Sequence, residues 1–476
     1  MNRTSIFLAT AAALALVALV VGLPRLSGAP ATAPAPFRPA PQPPPASVAN
    51  GSLKMDARLS HPFIALGRQS IFVTVDLRAV ELPQATRAPV NLALVIDRSG
   101  SMAGFKLNQA KQAGRQLVSQ LTSTDRLTIV HYGSDVKSLE GLLATPENKA
   151  RMLSYIDGIW DEGGTNIGAA LAASRDSLAK AKSDFRVNRL ILVSDGQPTE
   201  GVTDFGALTS LVRGIRGLGI SVSSLGVGDD FNEQLMTAIA EVGAGGYGYL
   251  QDASQLAHVF QKDLNAAATQ VASGVALTFT VPPGARLEQV LGYSQVTRAS
   301  SGSGEVVTVA LPDFAAGQQE RLVAQLSVEG AADNQGVEVS DLRLTYRDLL
   351  NGGDLASEAH LAAMATVSQA TVAKNLDKEA IVFSTRARAA ANAEQAAQRL
   401  ERGDRAGARQ LLKSNLALFD EASGVAGAAA VADDRRGADE QLLGAEKAQS
   451  DGDVRIYKKA VNAKARRDYG LMGSTY

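Results

Sequence analysis

The run Asn91-Leu-Ala-Leu-Val-Ile-Asp97-Arg-Ser99-Gly-Ser101 constrains this chain more than any other segment. Its apolar part reads as a strand buried on both faces, the kind a largely parallel sheet covered by helices requires. Where that strand should stop, Asp97-x-Ser99-x-Ser101 delivers one carboxylate and two hydroxyls, oxygen donors that suit a hard divalent cation. Two other segments bring polar residues to comparable places. Thr165 sits in Glu162-Gly-Gly-Thr165-Asn166, a loop that opens a helical pattern, and Asp195 follows the apolar strand Arg189-Leu-Ile-Leu-Val-Ser194. In an open α/β sheet the carboxyl ends of the strands converge on one crevice, so these residues can meet there. Asp97 and Ser99 could also cap the following helix, a role compatible with metal binding.

Asp97-x-Ser99-x-Ser101, then Thr165, then Asp195-Gly, on alternating strands and helices, resembles a von Willebrand factor type A (VWA) domain with a complete metal-ion-dependent adhesion site, of the exported bacterial type, over residues 89–268. The resemblance implies an α/β, doubly wound, mainly parallel Rossmann-like sheet. It also implies Mg²⁺, or Mn²⁺ or Ca²⁺ in its place, held by Ser99 and Ser101 and in some states Thr165. Asp97 and Asp195 would act directly or through water, and an Asp or Glu carboxylate of a protein ligand would complete the shell. The residues themselves agree: two carboxylates only balance a dication and hydroxyls add no charge, so the metal stays electrophilic toward an outside anion.

The flanking segments have other patterns. Met1-Asn-Arg3 and the apolar run Ile6 to Leu23, with small residues around Ala29-Pro-Ala31, read as a signal peptide or signal anchor (1–31), which makes export the expectation. A Pro/Ala-rich linker (32–50) follows as an extended spacer. Period-two alternation over Ile71 to Arg78 predicts β strands for 51–88, and Val275–Val281, Val306–Leu311, Arg321–Val328 and Val337–Tyr346 predict more in 269–366. The simplest arrangement is a β-sandwich into which the α/β unit is inserted. From 367 to 476 an alanine-rich helical pattern takes over, with a helix pair around Arg402-Gly403-Asp404 and a polar end from Arg466 expected to fray.

Composition excludes several functions. A net charge of −1 gives no broad attraction to nucleic acid, and contact with a membrane is expected only through the N-terminal run. With no cysteine there are no disulfides and no thiolate chemistry. His131, in an apolar strand, reads as a satisfied sheet residue, and His61, His258 and His360 have no metal-ligand spacing. Asp161 and Glu162 read as solvated loop charges, with metal support or partner choice as the alternative. Gly243-Ala-Gly-Gly246 lacks the context of a phosphate loop. The leading function is an exported, non-enzymatic protein that captures an acidic ligand group through a cation, for adhesion or assembly in the periplasm, at the cell surface or outside the cell. The alternative is a structural factor of the envelope whose metal only organises loops. Metal-assisted hydrolysis ranks last, because the site offers no free general base.

Overall fold

The computed structural model describes residues 46–83, 87–195, 197–228, 231–250, 255–293, 296–302 and 304–471. The expected export segment and most of the expected linker lie outside them. Among the described residues, β1 (Ala46–Asn50), β2 (Leu53–Leu59), β3 (Phe63–Ala65) and β4 (Gly67–Ala79) come first. An α/β unit follows: β5 (Val90–Asp97), α1 (Phe105–Gln120), β6 (Arg126–Tyr132), β7 (Val136–Leu143), α2 (Pro146–Asp157), α3 (Ile167–Ala179), β8 (Val187–Ser194), α4 (Phe205–Gly217), β9 (Ile220–Val227), α5 (Glu233–Val242), β10 (Ala244–Leu250) and α6 (Leu256–Ala268). Strands return as β11 (Gln270–Val281), β12 (Arg286–Leu291), β13 (Val296–Ser301), β14 (Gly304–Ala310), β15 (Phe314–Ala315), β16 (Gln319–Gly330), β17 (Gly336–Asp348) and β18 (Asp354–Thr366). Among the described residues, five helices follow: α7 (Gln369–Lys374), α8 (Lys378–Glu401), α9 (Arg405–Ala426), α10 (Ala428–Lys447) and α11 (Asp451–Asp468).

The α/β unit is a six-stranded sheet in the order β10-β9-β8-β5-β6-β7. Every pairing is parallel except β6 with β7. Every residue of β5, β8 and β9 is buried, as their apolar runs require of strands covered on both faces. Leu107 of α1, Ile156 of α2 and Phe260 of α6 pack on one face, and Leu171 of α3, Val212 of α4 and Met236 of α5 on the other. The chain runs outward from β5 through β6 in one direction and resumes on its other side at β8. The strand order therefore reverses between β5 and β8, where an open α/β sheet forms its ligand crevice.

The other strands make a sandwich of two sheets, β1-β2-β4-β16-β12 and β13-β14-β11-β17-β18-β3, around one apolar core. Antiparallel pairing of β4 with β16, from Gln319–Arg78 to Gly330–Gly67, joins strands on either side of the α/β unit, so the unit is an insertion in the sandwich. The helices α8 to α11 pack on one another, and Ala387, Ala390, Ala465 and Tyr469 lie against Phe72, Leu291 and Val323 of the first sheet.

Two expectations are corrected. Ala46–Asn50, assigned to the linker, is a strand paired with β2, because its backbone groups find an open strand edge as soon as the prolines end. The segment from Arg466 does not fray up to Leu471. Tyr469 and Leu471 are buried, the Tyr469 hydroxyl donates to Glu394 at 2.5 Å, and the Gly470 carbonyl accepts from the Arg321 N–H at 3.1 Å. Its basic sequence hid apolar contacts that span distant parts of the chain. Among the described residues no helix is long and apolar enough to cross a membrane.

Candidate metal site

The end of β5 turns sharply, and the Asp97 carboxylate closes that turn by accepting the Ser99 N–H at 2.8 Å. This is its local role; α1 is capped by Gly104, with no side-chain cap bond, so neither Asp97 nor Ser99 caps that helix. The other Asp97 oxygen accepts from Ser194 Oγ at 2.6 Å and from the Tyr132 hydroxyl at 3.3 Å. Ser99 Oγ lies 3.1 Å from Ser101 Oγ, and Ser101 Oγ donates to Asp195 Oδ1 at 2.7 Å. A continuous line of oxygens thus runs from β5 to the end of β8, with Ser101 exposed at its outer side.

The backbone of the threonine loop is tied to this cluster. Gly100 N–H donates to the Gly163 carbonyl at 3.2 Å, which pins the threonine loop to the serine loop. On the Asp195 side, the Thr199 hydroxyl accepts from the Thr165 N–H at 2.9 Å, and the Thr165 carbonyl accepts from Thr199 N–H at 3.0 Å. Asn166 caps α3 by accepting from Ala169 N–H at 3.1 Å. A Cβ at Gly133 would stand 2.1 Å from the Glu162 carbonyl, so the β6 turn must be glycine for the loop to seat there.

Three participants escape a reading from spacing. Lys106 ion-pairs with Asp195 from the first turn of α1, a position where the helix dipole disfavours a cation. That anomaly is the signal the sequence carries. Arg98, fully buried, ion-pairs with Asp135 and with Glu162 at 2.9 Å. Glu162 is therefore more than a solvated charge, while Asp161 is exposed. Tyr132 also joins the site, and burial pushes its phenol well up, so it stays protonated as a donor to Asp97.

His131 corrects an expectation: it is 5% exposed, yet its Nδ1 has no hydrogen-bond partner. Burial and then the neighbouring Arg98 and Lys137 push its pKa down to about 4, so the ring is neutral. His61 bonds Ser60 at 2.8 Å and His360 bonds Asp341 at 2.7 Å, both away from the α/β unit.

The donor set fits a hard cation. Burial raises the Asp97 pKa and the like charge of Asp195 raises it further, so two carboxylates are held close out of water and favour a compensating positive charge. Lys106 supplies one unit of it. Among the described residues no three His, Cys, Asp or Glu side chains are grouped to hold a metal, so hydroxyls would have to share the ligation.

Comparison with known proteins agrees with this architecture. Residues 91–262 match the von Willebrand factor type A domain. An uncharacterized protein of Synechocystis sp. is 28% identical over 275 residues, 56% of this chain and 63% of that protein. Human inter-alpha-trypsin inhibitor heavy chain H3 is 31% identical over 159 residues, 32% of this chain and 18% of that one. The chain thus spans less than two-thirds of the length of either relative. Among solved structures, the von Willebrand factor type A protein from Catenulispora acidiphila superimposes with a TM-score of 0.67 at 18% identity, over 88% of this chain and 97% of that one. Its likeness is one of fold. Domains of this type often bind a divalent metal, and proteins that carry them generally mediate protein interaction or adhesion. The α/β unit inserted in the sandwich is a von Willebrand factor type A domain.

Proposed function

We propose that this chain is an exported, bacterial, metal-dependent protein-binding protein of the cell envelope. Asp97, Ser99, Ser101, Thr165 and Asp195 hold one divalent cation, Mg²⁺ before Mn²⁺ or Ca²⁺, and the cation receives an Asp or Glu carboxylate from a protein ligand. The bound ion supplies an electrophilic point; the chain's own residues orient the hydroxyls, bury the carboxylates and frame the opening.

One observation carries the reading. The loops around the oxygen cluster expose large apolar side chains: Phe105 is 61% exposed, Trp160 56%, Val202 42% and Phe205 36%. Trp160 and Val202 lie in the α2–α3 and β8–α4 connections, and Phe105 and Phe205 open the helices α1 and α4 that follow the loops carrying Ser101 and Asp195. An apolar rim around a polar centre is the composition of a protein-binding face. The reading is non-enzymatic, because it assigns Asp97 and Asp195 to the cation and leaves the cluster no other carboxylate for general-base work.

Calorimetry tests the site: one Mg²⁺ or Mn²⁺ per chain is expected, and none in Asp97→Ala. Affinity capture from the parent envelope with and without EDTA tests the function. Capture that EDTA leaves intact would favour the structural alternative, in which the cation only ties the serine and threonine loops together. Fractionation that finds the chain in the cytosol would reject export.

A further inference from the structure

The helix α11 meets the α/β unit along one stripe. Lys459, Asn462 and Arg466 are spaced three and four residues apart, so they share a helix face. Asn462 Nδ2 donates to Glu233 of α5 at 2.9 Å, and Arg466 pairs with Glu241 at 3.5 Å while its guanidinium lies 5.1 Å from the centre of the Tyr247 ring. Lys459, 7% exposed, reaches the carboxyl ends of the strands. Its ammonium donates to the carbonyl of Gly228, just after β9, at 3.2 Å. It also stands 4.8 Å and 4.9 Å from the centres of the Phe231 and Tyr249 rings, which stack on each other. A buried ammonium needs such partners, so Lys459 fixes the segments that carry them.

Gly228 has a second lysine on it. Its φ of +80° is left-handed, and a Cβ built there would stand 3.0 Å from Lys106 Cε and 3.1 Å from Lys106 Nζ. The Lys106 side chain thus crosses the bare Cα on its way to Asp195. Phe231 packs beside the same turn: a Cβ at Gly226 would fall 2.3 Å from its ring, and Gly226 pairs with Ser194, the donor to Asp97. We infer that Lys459 is a positioning residue for the candidate cation site: by anchoring the turn after β9 it keeps Lys106 on Asp195, so the seating of α11 governs how tightly a cation binds. The cation is that of the proposed function, on which this step rests; the lysine contacts stand without it. A turn released from Lys459 can shift under Lys106, which loosens the Lys106–Asp195 pair and weakens the competitor for that carboxylate.

Lys459→Met keeps the stem and removes the ammonium. Calorimetric titration of the full chain with Mg²⁺ should show about threefold tighter binding, and no further gain when Lys106→Met is already present. Tyr249→Leu, which takes one ring from the ammonium, should shift affinity the same way by about twofold, and it decides the matter if Lys459→Met does not fold. Asn462→Ala loosens the same seam away from Gly228; it should lower the melting temperature and leave Mg²⁺ affinity at the parent's value. Unchanged or weaker affinity in Lys459→Met, the same gain on top of Lys106→Met, or an equal gain in Asn462→Ala overturns the inference. Urea melts in EDTA of the parent, the two lysine variants and their double variant separate it from the metal reading. Positioning makes the double variant lose less stability than the two single losses combined, whereas repulsion between the two ammoniums alone would make it lose more. A parent that binds no Mg²⁺ yet shows the smaller loss sinks the cation and leaves Lys459 positioning Lys106. Additive or larger losses overturn the inference whether or not Mg²⁺ binds.

Discussion

Lys106→Met isolates the charge that balances the site. Asp195 has no exposed side-chain surface and pairs with Lys106, whose side chain is 32% exposed. Truncating one partner of a buried pair costs about 3–5 kcal/mol. Here the loss should be smaller, because Ser101 still donates to Asp195 and removing a cation from a helix start recovers about 0.5 kcal/mol. About 2 kcal/mol remains, which lowers the melting temperature of a unit this size by about 4–8 °C. That is the expected result in EDTA. In Mg²⁺ the deficit should shrink by more than half, since a dication supplies the missing charge. The variant should also bind Mg²⁺ about tenfold more tightly, because a like-charged neighbour worth on the order of 1–2 kcal/mol to the bound state has gone. Thermal melts in both buffers and a calorimetric titration measure all of this. An equal deficit with and without Mg²⁺, or weaker metal binding in the variant, would refute the view that Lys106 and the cation compete for one carboxylate.

Three further outcomes follow from other parts of the α/β unit. His131, with its folded pKa pushed down to about 4 from 6.5, keeps its full contribution above pH 6.5 and loses it as pH falls toward 4; up to about 3 kcal/mol should go, and urea titrations of His131→Phe should show that part of the pH slope flattened. Arg189 and Asp263, buried and 3.0 Å apart, tie β8 to α6, so Asp263→Ala should cost about 3–5 kcal/mol in a denaturant melt, and a loss below 1 kcal/mol would show the pair to be dispensable. Gly133→Ala, whose added methyl meets the Glu162 carbonyl, should push the threonine loop outward and weaken Mg²⁺ binding at least tenfold with a smaller effect on melting; unchanged metal affinity would separate that loop from the site.

The parts of this structure that were legible in the sequence are those whose physics is local. β5 and β8 announce themselves as unbroken apolar runs because both their faces are covered, and Asp97, Ser99, Ser101 and Asp195 come at fixed offsets from the ends of those strands. Thr165 was readable for a similar reason, since Asn166 caps the helix that its loop begins. β7 and β10 were not: β7 is an edge strand of mixed exposure, and β10 is a glycine-rich Ala-Gly-Gly-Tyr-Gly-Tyr-Leu whose place depends on pairing with β9 rather than on its own preference. Nor were Lys106 and Arg98, whose roles exist only when distant carboxylates arrive beside them. Spacing therefore picks out oxygen donors at the strand ends and misses the cations beside them. Lys106 already sits on Asp195, while Arg98 is held by Asp135 and Glu162 outside the oxygen cluster, so a dication at the proposed site would have to compete with Lys106 for that carboxylate. In the proposed metal-bound state, that competition would set the cation's affinity below what the oxygen count alone gives.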